Sequence, residues 1–143
     1  MKKFITILPI LITFLLALQQ IVKVHPTEKP VNKSINLSIY RENNYSSAAY
    51  DSTIASVHIT LYKVVGNEYT TVYEKSFNSM QLKQFPEMQN AINSSLMIPN
   101  LLNSKEKLLI NYAVTYNTQG SQLTLNNYLV TNATNKDNLK INI

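Results

Sequence analysis

Apolar and polar residues alternate most clearly in residues 34–65, SINLSIYRENNYSSAAYDSTIASVHITLYKVV, where two such runs flank a polar loop. The apolar positions of the two runs are Ile35, Leu37 and Ile39, and then Val57, Ile59 and Leu61. Successive side chains of a β-strand point to opposite faces, so both runs are predicted to be half-buried strands. We interpret this segment as a hairpin-like strand pair that the rest of the chain extends.

The loop between the two runs, residues 41–53, contains the Asn, Asp and Ser that favour turns and has no helical apolar stripe. Two tyrosines stand in it with no alternation to bury them, so we expect both rings to be exposed. Tyrosine gives binding surfaces a large contact area at a low entropy cost. We therefore interpret the loop as a partner-binding site, the alternative being a flexible connection. Its candidate residues are Arg41, Tyr45, Ser47, Tyr50 and Asp51, with the charged side chains expected at the rim.

The chain after residue 65 continues with short alternating runs and one short helical segment. The predicted strands are residues 69–77, 96–98, 108–116, 123–131 and 139–143. Residues 79–84 are predicted to form a short helix that Ser79 caps and that turns Leu82 and Phe85 to the core before Pro86 ends it. Residues 88–95 are ambiguous.

Residues 108–116 are predicted to be the central strand. Alternation places Leu108, Ile110, Tyr112, Val114 and Tyr116 on one face. Six to eight short strands at this spacing, with one small helix, indicate a mainly β protein and an antiparallel β-sandwich.

The N-terminal segment indicates export. Lys2 and Lys3 precede an uncharged apolar run of 15 residues, which is the layout of a secretory signal. The 19 uncharged residues between Lys3 and Lys23 would also span about 28 Å as a helix, enough for an uncleaved membrane anchor. Both interpretations stay open, and in both the domain lies outside the cytoplasm. We divide the chain into a signal or anchor (1–23), a tether with two prolines (24–33) and a sandwich domain (34–143).

Charge and residue types argue against several functions. Without the three lysines in or beside the N-terminal segment, the net charge falls from +5 to about +2, which is no nucleic-acid footprint. Cysteine is absent, His25 lies in the polar tether, and His58 is predicted on the strand face opposite the core. Two carboxylates nine positions apart at the ends of the loop, Glu42 and Asp51, do not define a site. We therefore expect no catalytic residue, no cofactor and no metal ion.

Short motifs resemble the TssJ family, the outer-membrane lipoproteins of type VI secretion systems. The resemblance covers residues 34–143 and rests on the two alternating runs with the loop between them and on KLLINYAVTYNTQGSQLTLNNYLV, which is similar to the family's closing strand pair. Residues 77–85 resemble its short helical segment. Leu15–Gln19 resembles the family's lipid-attachment box without its cysteine, so the resemblance supplies no acyl anchor here.

The resemblance implies a transthyretin-like sandwich and a non-catalytic role. The expected partner is a TssM-like inner-membrane protein, which in that family is contacted by the loop corresponding to residues 41–53. The expected location is the periplasm, at the outer membrane or tethered by the N-terminal helix. Two other classes stay open: a periplasmic ligand-carrying or chaperone-like sandwich with an apolar cleft or an unpaired edge, and a secreted adhesin or pilus-type subunit.

Overall fold

The computed structural model describes residues 28–131 and 136–143, so the predicted signal or anchor and the first part of the tether, with His25, lie outside the described residues. The strands are β1 (Val31–Tyr40), β2 (Thr53–Val65), β3 (Glu68–Ser76), β4 (Met80–Gln81), β5 (Ile92–Leu101), β6 (Glu106–Thr118), β7 (Ser121–Thr131) and β8 (Lys136–Asn142). Three single 3-10 turns, Ala48–Tyr50, Leu82–Gln84 and Met88–Asn90, are the helical structure of the described part. The expected mainly β fold is confirmed.

The strands form two sheets that share one core. The first has the order β5-β1-β8, and the second has the order β3-β2-β6-β7, with β4 also paired to β2. Neighbouring strands are antiparallel except β1 and β8, which are parallel. Apolar side chains of both sheets meet in a single buried cluster, so the arrangement is a sandwich. Its largest fully buried members are Ile35, Leu37, Ile39, Val57, Ile59, Leu61, Leu108, Ile110 and Ile141.

The interpretation of residues 34–65 as a strand pair is wrong. β1 lies between β5 and β8, whereas β2 lies between β3 and β6 in the other sheet. The predicted faces are right, since Ile35 and Ile59 are both fully buried. Alternation determines which face of a strand is apolar, but it does not select the neighbour, and a loop this long can cross from one sheet to the other.

The predicted helix over residues 79–84 is also wrong in form. Met80 and Gln81 pair with β2, and a single 3-10 turn over Leu82–Gln84 follows without a side-chain cap. Leu82 and Phe85 are buried as expected. Phe85 has extended backbone angles, which a residue before proline favours, so Pro86 leaves room for one turn only.

Strand β5 is longer than the predicted run over residues 96–98. It begins at Ile92 and, as an edge strand, passes through Pro99 by a bulge, since Val31 pairs with Leu101 but Lys33 pairs with Ile98. Within the bulge, Asn100 has a positive φ of 57°. An edge bulge is where a strand tolerates the missing N–H of proline.

The tether ends earlier than predicted, because β1 begins at Val31 and already contains Lys33. The Lys33 side chain is buried, and its Nζ lies 2.9 Å from Asp137 Oδ2 on β8. The first residues of β1 therefore belong to the folded domain.

The two sheets are not equally wide, and β7 overhangs the smaller one. Lys75 on β3 donates a hydrogen bond of 3.3 Å to Ser94 on β5, so β5 covers β3 and β8 reaches only as far as β6. Ile110 on β6 is 0% exposed, whereas Leu129, directly opposite it on β7, is 40% exposed. The inner face of β7, the face on the side of the smaller sheet, is thus exposed from Leu123 to Leu129, while Thr131 at its end is buried.

Glu106 at the start of β6 stabilises the turn from β5. Its Oε2 accepts a hydrogen bond of 2.9 Å from the Leu102 N–H, and its Oε1 lies 3.1 Å from Lys63 Nζ. The backbone hydrogen bond, followed by the bond to Lys63, lowers the pKa of the Glu106 carboxyl. These contacts favour the ionised form, so the carboxylate stabilises the native state.

We expect Glu106→Gln to destabilise the domain in a pH-dependent way. A lowered native pKa contributes stability that is present above the unfolded-state pKa and is lost as pH falls through the native value. The variant should lose about 1 kcal/mol of unfolding free energy at pH 7, and the difference should shrink as pH falls below about 4.5. Urea unfolding of both proteins between pH 3 and 7 measures it. A difference that stayed constant over this range would contradict the assignment.

Candidate protein-binding site

The loop over residues 41–53 is anchored at its start by Arg41. The guanidinium donates from Nε to the Phe85 carbonyl oxygen at 2.7 Å and from Nη1 to the Asn43 carbonyl oxygen at 3.0 Å. Its Nη2 lies 3.3 Å from Glu87 Oε1, and the Arg41 N–H donates to the Pro86 carbonyl oxygen. Arg41 is half-buried, and its guanidinium is engaged by groups of the chain itself.

Tyr45 ties the middle of the loop to the end of the sandwich. Its hydroxyl donates to the carbonyl oxygen of Ile143 at 2.6 Å, and its ring packs against the core cluster. The expectation that this ring is exposed is therefore wrong. The reason is a long-range contact, since an aromatic ring in a polar loop can be buried by a segment far away along the chain.

Tyr50 is exposed, as expected, and lies beside Tyr45. It closes the 3-10 turn Ala48–Tyr50, before which the hydroxyl of the exposed Ser47 accepts a hydrogen bond of 3.4 Å from the Ala49 N–H. The two tyrosine rings make an edge-to-face contact with centroids 5.1 Å apart, while 41% of Tyr50 remains exposed. Tyr50 is thus held at the surface by contact with Tyr45, whose ring packs against the core.

Asp51 follows the turn and forms an exposed ion pair. Its Oδ1 lies 3.0 Å from Lys83 Nζ, and both side chains are about half exposed. An ion pair in this setting stabilises the fold by about 0–1 kcal/mol. Asp51 is therefore a surface charge that links the loop to the 3-10 turn over Leu82–Gln84.

The loop borders an open cleft of about 380 Å³, the tyrosine cleft. Its lining residues are Tyr45, Ala49, Tyr50, Thr53, Leu82, Tyr116, Thr118 and Leu123. Of the five predicted site residues, the structure brings Tyr45 and Tyr50 into this lining, whereas Arg41, Ser47 and Asp51 are not part of it.

Sequence reasoning missed the far wall of the tyrosine cleft. Tyr116 and Leu123 face each other across the β6–β7 hairpin, whose turn is Gln119 and Gly120. The signal for their pairing was present, because Tyr116 ends one predicted strand and Leu123 begins the next. Burial, followed by the neighbouring Tyr45, raises the pKa of the Tyr116 hydroxyl, which therefore stays neutral well into the alkaline range.

The lining contains apolar groups and hydroxyls, and its ionisable groups are tyrosines. Such a surface suits contact with an apolar or aromatic side chain that brings one or two polar atoms. His58 lies elsewhere, on the outer face of β2 as predicted, where Nδ1 is 2.8 Å from Ser76 Oγ and Nε2 is 3.1 Å from Glu74 Oε1. Within residues 28–131 and 136–143, no three His, Cys, Asp or Glu side chains are grouped as metal ligands would be.

No helix in the described parts of the chain is long and apolar enough to cross a membrane. Comparisons of the chain with protein-family models, with curated proteins and with solved structures each found no match.

Proposed function

We propose that this protein is a non-catalytic adaptor that binds another protein at the tyrosine cleft. The observation that carries the proposal is the pair formed by exposed Tyr50 and core-anchored Tyr45 at the border of the cleft. Tyrosine is one of the residue types enriched among the few residues that carry most of the energy of a protein interface.

The loop is ordered by its own contacts before any partner arrives. Arg41 holds its start, Tyr45 holds its middle, and the ion pair of Asp51 with Lys83 lies near its end. A loop that is already fixed loses little conformational entropy on binding, so more of the contact energy appears as affinity. This feature supports a binding loop over a flexible connection.

The finer proposal is that the partner is the periplasmic domain of a TssM-like inner-membrane protein in a type VI secretion membrane complex. Two observations support it: the resemblance of residues 34–143 to the TssJ family and the sandwich fold. Export to the periplasm is part of the same proposal and rests on the paired lysines and the apolar run at the N-terminus.

We expect Tyr50→Ala to weaken binding of a TssM-like periplasmic domain by about 1–3 kcal/mol, or roughly 5- to 150-fold in Kd. The melting temperature should change little, because Tyr50 is exposed and donates no hydrogen bond to the core. Isothermal titration calorimetry with the purified proteins measures the affinity.

Tyr69→Ala is the matched control, because Tyr69 is 63% exposed and pairs with Val64 near the far end of β2. Its affinity should equal that of the unchanged protein. Equal affinities for the Tyr50→Ala variant and the unchanged protein would refute the site. Tyr45→Phe separates anchoring from contact, since it keeps the ring and removes only the hydrogen bond to Ile143.

A further inference from the structure

Three of the four outer sheet edges in the described structure carry features that discourage pairing with another strand. β3 has Glu68, Glu74 and Lys75 and an irregular register opposite Leu61 and Tyr62. β5 has Pro99 in its bulge, and β8 contains two lysines and an aspartate. Charges, proline and bulges are the usual means by which proteins block edge-to-edge association.

The fourth edge, β7, has none of these features. Its 11 residues, SQLTLNNYLVT, include no charged residue and no proline, and they pair with β6 in an unbroken register. Apolar side chains are exposed on both of its faces: Leu123, Leu125 and Leu129 on the inner face, and Tyr128 and Val130 on the outer face. Long, uncharged and apolar edges of this kind are templates for another strand.

We propose that β7 is a self-association edge, on which two copies of this chain pair antiparallel about a twofold axis. The larger sheets of the two copies would then join into one continuous sheet. In an antiparallel pair about a twofold axis, the residues next to the axis lie close to their own copies, so charged residues there would repel each other. The absence of charge from β7, against its presence on β3 and β8, favours a second copy as the occupant.

All of β7 can pair with its copy when the axis lies between the two copies of Asn126, the middle residue of the strand. Leu123 then lies opposite Leu129 of the second copy on the inner face. On the outer face, Thr124 lies opposite Tyr128 of the second copy. Directly opposed residues of an antiparallel pair share a face, so this register pairs Leu123 with Leu129 and Leu125 with Asn127 on the inner face, and it leaves all 11 residues paired.

The contact area indicates how tightly the two copies should associate. A strand of 11 residues is about 37 Å long, and an edge strip about 10 Å wide gives roughly 400 Å² per copy. This is about half of the roughly 800 Å² per partner in a standard interface, so the dimer should be weak. We expect dimers at about 100 μM protein and monomers below about 1 μM.

Charge variants of the full chain test the proposal by sedimentation velocity at about 100 μM. Asn126→Lys and Asn126→Asp place like charges together at the axis, so each variant alone should be monomeric. An equimolar mixture should recover a species of twice the monomer mass, because the two charges then attract. An unchanged chain that is monomeric at this concentration, or two variants that stay dimeric, would overturn the proposal.

Cysteine cross-linking tests the register independently, because the chain contains no cysteine. Asn126→Cys should give a disulfide-linked dimer under mild oxidation, and Thr70→Cys, on the charged edge strand β3, should not. Equal cross-linking of the two variants would argue against β7. If the unchanged chain is monomeric and Asn126→Lys instead abolishes binding of a TssM-like domain, the edge belongs to that partner and self-association is refuted.

Discussion

Replacing Ile110 with Asp is expected to abolish cooperative folding. Ile110 is 0% exposed on the inner face of β6, where it belongs to the core cluster of both sheets. An ionised carboxylate has no hydrogen-bonding partner there, so the native state loses more than about 4 kcal/mol, a large part of the 5–15 kcal/mol that stabilise a typical domain. Thermal unfolding followed by circular dichroism should show no cooperative transition. Leu37→Asp and Ile59→Asp should behave in the same way, since both residues are equally buried.

Leu129→Asp is the matched control for this experiment. Leu129 lies directly opposite Ile110 on the same inner face of the same sheet, but it is 40% exposed because the smaller sheet does not cover β7. The carboxylate can stay hydrated there, so the loss of stability should be about 1 kcal/mol or less when measured in dilute protein. Similar losses for the two variants would mean that the smaller sheet covers β7 after all.

The second large effect is expected at the buried ion pair between β1 and β8. Asp137→Ala removes the carboxylate whose Oδ2 lies 2.9 Å from Lys33 Nζ, and the Lys33 side chain is 3% exposed. Removing one partner of a buried pair leaves the other charge buried without an opposite charge, and this typically lowers the free energy of unfolding by about 3–5 kcal/mol. The urea midpoint of unfolding should fall accordingly.

Lys33→Met removes the other partner of this ion pair and should cost less stability. Methionine fills much of the lysine volume without a charge, and the Asp137 side chain, 21% exposed, retains access to water. This variant should lose less than about 2 kcal/mol, and Lys33→Met combined with Asp137→Ala should be more stable than Asp137→Ala alone. A double variant less stable than Asp137→Ala would contradict the explanation.

The alternation of apolar and polar residues was sufficient to predict which face of each strand is buried. Leu108, Ile110 and Val114 were assigned to one face of a single strand, and all three are buried on the inner face of β6. The start of β5 was missed because Ser94 occupies an inward position. Its hydroxyl is satisfied there by Lys75 of the other sheet, a contact that no local pattern contains.

Which strands pair with each other, and where the candidate site lies, were less predictable. The sequence places Tyr45 in a polar loop, but its ring packs against the core cluster and its hydroxyl bonds Ile143, 98 positions later. The exposure of Tyr50 could be predicted, because it depends on the loop itself. The far wall of the tyrosine cleft comes from the β6–β7 hairpin, whose position beside the loop follows from the packing of the two sheets.

The parallel pairing of β1 with β8 has a consequence for how the domain is made. Asn36 of β1 hydrogen-bonds Asn138 of β8, 102 positions later, whereas β6 and β7 are joined by a two-residue turn. A hairpin forms in about 1–10 μs, but contacts between distant segments slow folding strongly. Because β8 is the last of these strands along the chain, an interval separates it from β1 as the chain emerges, whether from synthesis or from export. During that interval one edge of the strand that is made first stays unpaired, so the smaller sheet is the last part of the domain to close.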